Sequence, residues 1–208
     1  MLDASLPAFT QGFALSAGLI MAIGAQNMFI LRQGLRREHV GPLVLFCAGA
    51  DALLIVAGVN GLGAVLHLVP GLSLALGLGG AAFLAWYGAC ALRRAAQPGA
   101  MVVQQQAALT LGAAIGGAAA FTFLNPHVYI DTVMLMGAVG ASLSPDERPP
   151  FMAGAALASL AWFSALGFGA RLLAPVFARP AAWRVLDVGV GLMMLALAGS
   201  LLHGALVG

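Results

Sequence analysis

Long apolar runs alternate along the chain with short stretches that hold most of its charged residues. The runs cover about 7–31, 40–66, 71–92, 107–142, 151–174 and 185–206. A membrane-spanning helix needs about 20 mostly apolar residues, and each run reaches that length. The pattern therefore predicts an all-α integral membrane protein whose six transmembrane helices form a single domain, 1–208.

The fourth run has two interpretations. As one straight helix its roughly 36 residues would be about 54 Å long, against about 30 Å of hydrocarbon. It is therefore either two spans or one broken, tilted span. All nine basic residues are arginines, and arginines concentrate on the cytoplasmic side of membrane proteins. Six spans leave only Arg148 on the outer side, which favours six spans with both termini outside. The arginines then placed inside are Arg32, Arg36, Arg37, Arg93, Arg94, Arg171, Arg179 and Arg184.

Two of the runs are interrupted by an asparagine cluster, at 24–27 and at 124–127. Lipid offers no partner for free backbone groups, so a broken membrane helix must be buried in protein or line a cavity. Three spans in each half also invert the second half relative to the first, as in many secondary transporters. We therefore expect two inverted three-helix repeats, about 1–96 and 107–208, joined by a linker at about 97–106.

Composition excludes several classes of protein. The chain is 62% hydrophobic and 8% charged, whereas soluble domains carry roughly 25% charged residues. A net charge of +2 is too weak for a nucleic-acid binder. Cys47 and Cys90 lie in separate apolar runs and resemble small buried hydrophobes. No metal, nucleotide or nucleophile motif is present, so we expect no enzyme, no ATP-driven pump, no metal and no cofactor.

Two aspartates lie well inside apolar runs, away from their ends. Asp51 is in the middle of the second run, and Asp131 follows the second break. A charged residue at the centre of a membrane helix costs roughly 2.5–3.5 kcal/mol on insertion scales, and it usually marks an ion or substrate path. The alternatives are a protonated Asp51 bonded to a neighbouring helix, and an Asp131 tied to Tyr129 or Thr132. We expect both carboxylates to bind a cation or exchange protons.

The breaks themselves supply candidate binding groups. Side-chain amides of Asn27, Asn125 and Gln26 offer both donors and acceptors, and the N-termini of half-helices attract a carboxylate. We expect these groups to bind the head group of an amino acid, unless each asparagine only caps its break. His127 is a candidate proton relay or a structural histidine. Two intramembrane aspartates without any lysine indicate a cationic substrate.

Other positions have structural interpretations. Asp187 is expected to form a local ion pair with Arg184 at the inner interface. Gly112 and Gly116 have a small-residue spacing that permits close helix packing, and Gly-rich faces are compatible with a homo-oligomer. Four aromatic residues are interpreted as interface anchors or packing: Trp86, Tyr87, Trp162 and Trp183.

The chain resembles the LysE family of amino-acid exporters, in its lysine and arginine branch, over nearly its whole length. The most specific stretches are 24–39 and 124–133, and Trp86-Tyr87-Gly88 and Trp162-Phe163 also look like family positions. Asp51 and Asp131 match the acidic residues of the family's second span and of its Asn-Pro segment. Relatives usually carry proline where this chain has Ala25, so its first break would depend on Gly24, whereas Pro126 is present in the second.

The resemblance implies a secondary exporter of L-arginine, L-lysine or both, driven by protons across a bacterial inner membrane, with periplasmic termini. A proton arriving on Asp51 or Asp131 would weaken its hold on the cation and couple release to the gradient. Three alternatives stay open. They are an exporter of a neutral amino acid or other metabolite, a passive channel, and an intramembrane enzyme using Asp51, Asp131 or His127.

Overall fold

The protein is described by a computed structural model over residues 2–21, 24–62, 71–96, 108–177 and 179–207. Every regular element in these ranges is helical, which confirms the all-α class. The α-helices are α1 (Leu2–Ile20), α2 (Ala25–Arg36), α3 (Val40–Ala57), α4 (Leu72–Ala96), α5 (Leu111–Phe123), α6 (Pro126–Val128), α7 (Met136–Ser142), α8 (Arg148–Gly169), α9 (Ala174–Phe177) and α10 (Pro180–Val207). A π-helical segment, Gly58–Leu62, follows α3, another, Tyr129–Leu135, joins α6 to α7, and a 3₁₀ turn, Ala170–Leu173, joins α8 to α9. The predicted linker at about 97–106 lies outside the described residues.

Within the described part of the chain, three helical stretches are long and apolar enough to cross a membrane: Val40–Gly61, Arg148–Phe177 and Ala181–His203. The pair α1 and α2 is a fourth candidate if the two helices, bent by 83°, count as one span. α5 and the stretch Tyr129–Ser142 are shorter apolar helices. The structure thus confirms apolar, membrane-type helices, while the count of six spans stays a prediction.

The first break lies a few residues earlier than the sequence indicated. α1 ends at Ile20 and α2 begins at Ala25, so Gln26 and Asn27 already belong to the first turn of α2. Gly24 precedes the helix in an extended conformation, with φ −118° and ψ 175°. The first amide of a helix has no helical partner in any case, so Ala25 can start α2 where a proline would.

The second break is short and lies within 124–127, as predicted. α5 ends at Phe123 and α6 begins at Pro126, which leaves Leu124 and Asn125 between them. Proline suits this first helical position because its missing N–H would be unpaired there anyway. The fourth run is therefore two helical pieces separated by two residues.

One end of the bundle collects the end of α2, the starts of α3 and α5, and the end of α8. A Cβ added to Gly34 would lie 2.3 Å from the Gly167 carbonyl oxygen and 2.7 Å from the Ala170 side chain. His39 Nε2 lies 2.7 Å from the Leu109 carbonyl oxygen. Because arginines occupy the last turns of α2 and α4 and the 3₁₀ turn after α8, we call this the arginine-rich end.

The opposite end is built on close contacts between α1 and α8. A Cβ added to Gly154 would lie 2.0 Å from the Phe9 carbonyl oxygen, and one added to Gly12 would lie 2.0 Å from that of Phe151. A Cβ added to Gly58, after α3, would lie 2.6 Å from the carbonyl oxygen of Val133 in the second π-helical segment. Small residues at these points let the helix backbones touch.

The helices α4 and α10 pack along each other. At their crossing, a Cβ on Gly88 would lie 3.0 Å from the Gly191 carbonyl oxygen, and one on Gly191 would lie 3.1 Å from that of Gly88. This reciprocal approach is what a two-fold relation between the two helices would produce.

Four aromatic rings pack together beside this helix pair. The ring of Phe121 lies 4.8 to 5.2 Å from those of Phe83, Tyr87 and Phe29. Phe29 and Phe121 are almost fully buried. We call Phe29, Phe83, Tyr87 and Phe121 the aromatic cluster.

Gly112 and Gly116 do not pack closely against another helix of the described bundle, since a Cβ added to either would meet no atom of the described residues within 4 Å. The spacing alone could not show which glycines face a neighbouring backbone.

This contrast predicts opposite effects of two identical substitutions. Gly154→Ala should lower the free energy of unfolding by about 1–3 kcal/mol, because α1 and α8 must separate to admit the methyl group. Gly116→Ala should be neutral or stabilise by up to about 1 kcal/mol through helix propensity. Thermal unfolding of both purified variants in one detergent checks this, and equal shifts would show that the α1–α8 contact is not tight.

Candidate functional site

A cavity of about 310 Å³ lies where the two breaks meet α3, α4 and α10. Its wall contains eight of the residues singled out from the sequence: Gly24, Ala25, Gln26, Asn27, Asp51, Asn125, His127 and Asp131. The side chain of Pro126 lies outside the described part of the chain. Further wall residues are Ser16, Leu19, Ile20, Ile55, Leu84, Val128, Thr132, Met136, Leu197 and Leu201. Residues from both halves of the sequence thus share one cavity.

The two breaks are joined by a direct hydrogen bond. Gln26 Nε2, in the first turn of α2, donates to Thr122 Oγ1 near the end of α5 at 3.0 Å. Thr122 is fully buried, and its hydroxyl donates in turn to the Ala118 carbonyl at 2.9 Å. This link could not be predicted, because in the sequence Thr122 resembles any small residue of an apolar helix.

Asn27 bonds to both sides of the first break. Its Nδ2 donates to the Ile20 carbonyl at 2.8 Å and so caps the end of α1. Its Oδ1 accepts a hydrogen bond from Trp162 Nε1 of α8 at 3.3 Å. Trp162 was expected to be an anchor or packing residue and instead holds a wall residue of the cavity. Trp86, in contrast, is 62% exposed.

The second break is capped in the same manner. Asn125 Oδ1 accepts from the His127 backbone N–H at 3.1 Å, which satisfies an amide at the start of α6. The Tyr129 hydroxyl donates to the Phe123 carbonyl at 3.0 Å, at the end of α5. Both asparagines therefore cap their breaks and also face the cavity.

The two aspartates of the wall have different surroundings. Asp51 is 8% exposed, and its Oδ2 accepts a hydrogen bond from the buried Ser159 hydroxyl at 2.7 Å. Asp131 is half-buried and receives no hydrogen bond from any described residue; Tyr129, its expected neighbour, bonds elsewhere. Asp131 therefore presents its carboxylate to the cavity without an internal partner.

The described wall of the cavity carries two acidic residues, Asp51 and Asp131. None of the arginines is among its lining residues, and His127 is the one basic side chain there. His127 is exposed on the same wall. Two carboxylates in a partly desolvated space attract a cation much more strongly than they would in water. Among the described residues no three His, Cys, Asp or Glu side chains come together to hold a metal ion.

The predicted ion-pair partner of Asp187 is wrong. It is 2% exposed and forms ion pairs with Arg32 of α2 and Arg94 of α4, the latter at 3.2 Å, instead of with Arg184. Arg32 is 155 residues away in sequence and Arg94 is 93 residues away. Proximity in sequence suggested the local partner, whereas helix packing brings two distant arginines to a buried carboxylate.

Comparison with known families identifies the family of this chain. A profile of the family described as "LysE type translocator" matches residues 17–205. The chain belongs to the LysE family. Members of this family are translocators, so this LysE family protein is a membrane transporter and not an enzyme.

Individual relatives agree with this assignment. An "Arginine exporter protein ArgO" of Yersinia enterocolitica is 44% identical over 191 residues, which are 91% of this chain and 93% of the relative. A protein of Mycobacterium tuberculosis provisionally named an amino-acid transporter is 47% identical over 180 residues, 86% of this chain and 89% of the relative. The protein YggA of Aeromonas salmonicida, with a similar provisional name, is 44% identical over 207 residues, 95% of this chain and 96% of the relative. No solved structure matches the chain.

The bond between Ser159 and Asp51 should be measurable in the stability of this LysE family protein. Hydrogen bonds to charged groups contribute about 1.5–3 kcal/mol, against about 0.5–1.5 kcal/mol for neutral pairs. Ser159→Ala should therefore destabilise the wild type more than it destabilises Asp51→Asn. Thermal unfolding of the four proteins of this cycle gives the difference. Ser142→Ala, at an exposed serine, is the control; an additive cycle would contradict the bond to the charged carboxylate.

Proposed function

We propose that this LysE family protein is a secondary transporter that exports basic L-amino acids, arginine foremost, from the cytoplasm using the proton-motive force. The observation that carries the proposal is the cavity wall, where Asp51 and Asp131 face one space lined by no arginine. One carboxylate comes from each half of the chain. The exporter name of the Yersinia relative supports arginine as the first substrate to test.

The cavity offers complementary groups for each part of a basic amino acid. The N-terminus of α2 reaches its wall through Gly24 and Ala25, and helix N-termini favour a carboxylate. The amides of Gln26, Asn27 and Asn125 lie beside it. Two cationic groups, the α-ammonium and the side-chain guanidinium or ammonium, match the two aspartates. The volume of about 310 Å³ is within the usual range for small-molecule sites, about 300–1,000 Å³.

Proton coupling follows from the same two carboxylates. A proton bound by Asp51 or Asp131 removes the charge that holds the cation, so protonation and substrate binding compete. A proton arriving from outside then promotes release of the substrate on that side. His127, exposed on the same wall, is a candidate to pass the proton.

The proposed topology is a single domain of six spans in two inverted repeats in the inner membrane, with both termini periplasmic. The reciprocal approach of Gly88 and Gly191 supports a two-fold relation between α4 and α10. Successive spans would cross the membrane in opposite directions. In support of this, the arginine-rich end contains the ends of α2, α4 and α8 together with the starts of α3, α5 and α10. That end would face the cytoplasm. A homo-oligomer is compatible with this arrangement.

Efflux from proteoliposomes tests the function. Vesicles preloaded with labelled arginine or labelled citrulline are compared with and without an imposed proton gradient. Citrulline has nearly the shape of arginine but a neutral side chain. We expect saturable, gradient-stimulated efflux of arginine, and slower efflux of citrulline by about 30-fold or more, since a lost charge pair costs about 2 kcal/mol or more. Lysine against norleucine repeats the comparison for the shorter side chain.

Equal efflux of arginine and citrulline would instead indicate an exporter of neutral amino acids. Flux that does not saturate and ignores the gradient would indicate a channel.

Neutralising either carboxylate should remove transport without removing the protein. Asp51→Asn and Asp131→Asn keep the side-chain shape and lose the charge, so we expect arginine efflux to fall by about 30-fold or more. Asp146→Asn, at an exposed loop aspartate, is the matched control and should transport normally. Membrane levels are measured by immunoblotting. Normal efflux by Asp131→Asn would remove that residue from the proposed site.

A further inference from the structure

Arg32, Asp187 and Arg94 form a buried ion-pair cluster outside the cavity wall. Both arginines bond to Oδ1 of Asp187, and Arg94 does so through Nε at 3.3 Å and one terminal nitrogen at 3.2 Å. The side chains are 6%, 20% and 2% exposed for Arg32, Arg94 and Asp187. We call these three residues the ion triad. It joins α2 to the packed pair of α4 and α10.

The ion triad lies at the arginine-rich end and is separated from the cavity residues along each of its three helices. On α2, Asn27 of the cavity wall precedes Arg32 by about 7.5 Å of helix. On α4, Leu84 of the wall precedes Arg94 by about 15 Å, and on α10, Asp187 precedes Leu197 of the wall by about 15 Å. On each of the three helices, the triad residue therefore lies nearer to the arginine-rich end than the cavity residue does.

Residues of the aromatic cluster lie between the cavity residues and the ion triad along α2 and α4. Phe29 lies on α2 between Asn27 and Arg32, and Tyr87 lies on α4 between Leu84 and Arg94. The guanidinium carbon of Arg94 is 5.8 Å from the centre of the Tyr87 ring. On α2 and α4, packed rings and then ion pairs thus follow the cavity residues toward the arginine-rich end. The ion pairs between described side chains all lie at the arginine-rich end.

The ion triad depends on the negative charge of Asp187. Two guanidinium groups share one carboxylate, so the cluster carries a net positive charge. Without the negative charge of Asp187, Arg32 and Arg94 would repel each other in a poorly solvated space. Asp187 therefore holds α2 against α4 and α10 by its charge, beyond its hydrogen bonds.

The helix α2 carries groups of both the cavity wall and the ion triad. Gln26 and Asn27 line the cavity at its start, and Arg32 belongs to the ion triad near its end. A rigid displacement of the 12 residues of α2 would change the cavity wall and the ion triad together.

We infer that the ion triad, backed by the aromatic cluster, is the gate that closes the cavity toward the arginine-rich end, and that it opens when Arg32 separates from Asp187. The inference goes beyond the proposed substrate and coupling, because it concerns access to the cavity only. Access can be measured without any substrate, so this inference and the proposed function can fail separately.

A cysteine in the cavity reports its accessibility. Ser16→Cys, on the cavity wall, is introduced into a protein whose two native cysteines are replaced, Cys47→Ala and Cys90→Ala. A membrane-impermeant methanethiosulfonate reagent is applied to sealed vesicles of each orientation. Arg93→Cys, at an exposed position of the last turn of α4, identifies the arginine-rich face.

Three variants are compared with this parent protein from the arginine-rich face. Asp187→Asn should raise the rate of modification of Cys at position 16 by about tenfold or more, because the open state gains population. Arg94→Gln leaves a one-to-one pair of Arg32 with Asp187 and should not raise the rate. Glu38→Gln also removes one acidic charge at this end, from a pair with Arg36, and should leave the rate unchanged.

The result that would overturn the inference is equally clear. An unchanged rate in Asp187→Asn, with a folded protein shown by size-exclusion chromatography and thermal unfolding, means that the ion triad does not control access. Equal increases in all three variants mean that the substitutions loosen the fold and open no specific gate. Arginine efflux by the wild type, measured separately, decides the proposed function and leaves this outcome untouched.

Discussion

The structure depends on the backbone groups that two broken helices would otherwise leave unpaired in lipid. Nothing in a bilayer core can hydrogen-bond a free carbonyl or amide, so each break exists only because side chains bond to it. Asn27 does this for the end of α1, and Asn125 for the start of α6. The cavity lies where the two capped breaks meet, and the capping side chains supply part of its polar wall.

Close helix packing keeps the breaks in place. Glycines on α1, α8, α4 and α10 bring backbones into contact at both ends and in the middle of the bundle. Against this framework α8 presents Ser159 and Trp162 one turn apart, and they hold Asp51 of α3 and Asn27 of α2. Asp51 and Asn27 of the site are thus held in place by side chains outside the cavity wall.

Much of the site could be predicted because polar residues are rare in this chain. Asp51, Asp131 and the two asparagine clusters each interrupt an apolar run, and such residues need a partner or a cavity in a membrane. The ending of α1 at Ile20 was missed because α2 accepts Gln26 and Asn27 into its first turn. The partners of Asp187 were missed because they depend on which helices pack together.

Ser159 and Thr122 gave no signal, and Trp162 was interpreted only as an anchor or packing residue, for a related reason. Hydroxyl and indole groups are common in membrane helices, and only their neighbours distinguish a hydrogen-bond donor to the site from a packing residue. The choice among glycines was equally local. Gly112 and Gly116 have the spacing of a contact motif but face open space, whereas Gly154 meets a carbonyl oxygen.

The hydrogen bond from Gln26 to Thr122 has a consequence for how such a chain can change over generations. It ties the interruption of one half directly to the helix before the interruption of the other. Loss of the hydroxyl at 122 leaves a part-buried amide without its acceptor, and loss of the amide at 26 leaves a buried hydroxyl with the Ala118 carbonyl but without its donor. The two halves, whatever their common ancestry, therefore cannot drift apart independently at this point, and a substitution in one sets the conditions for the other.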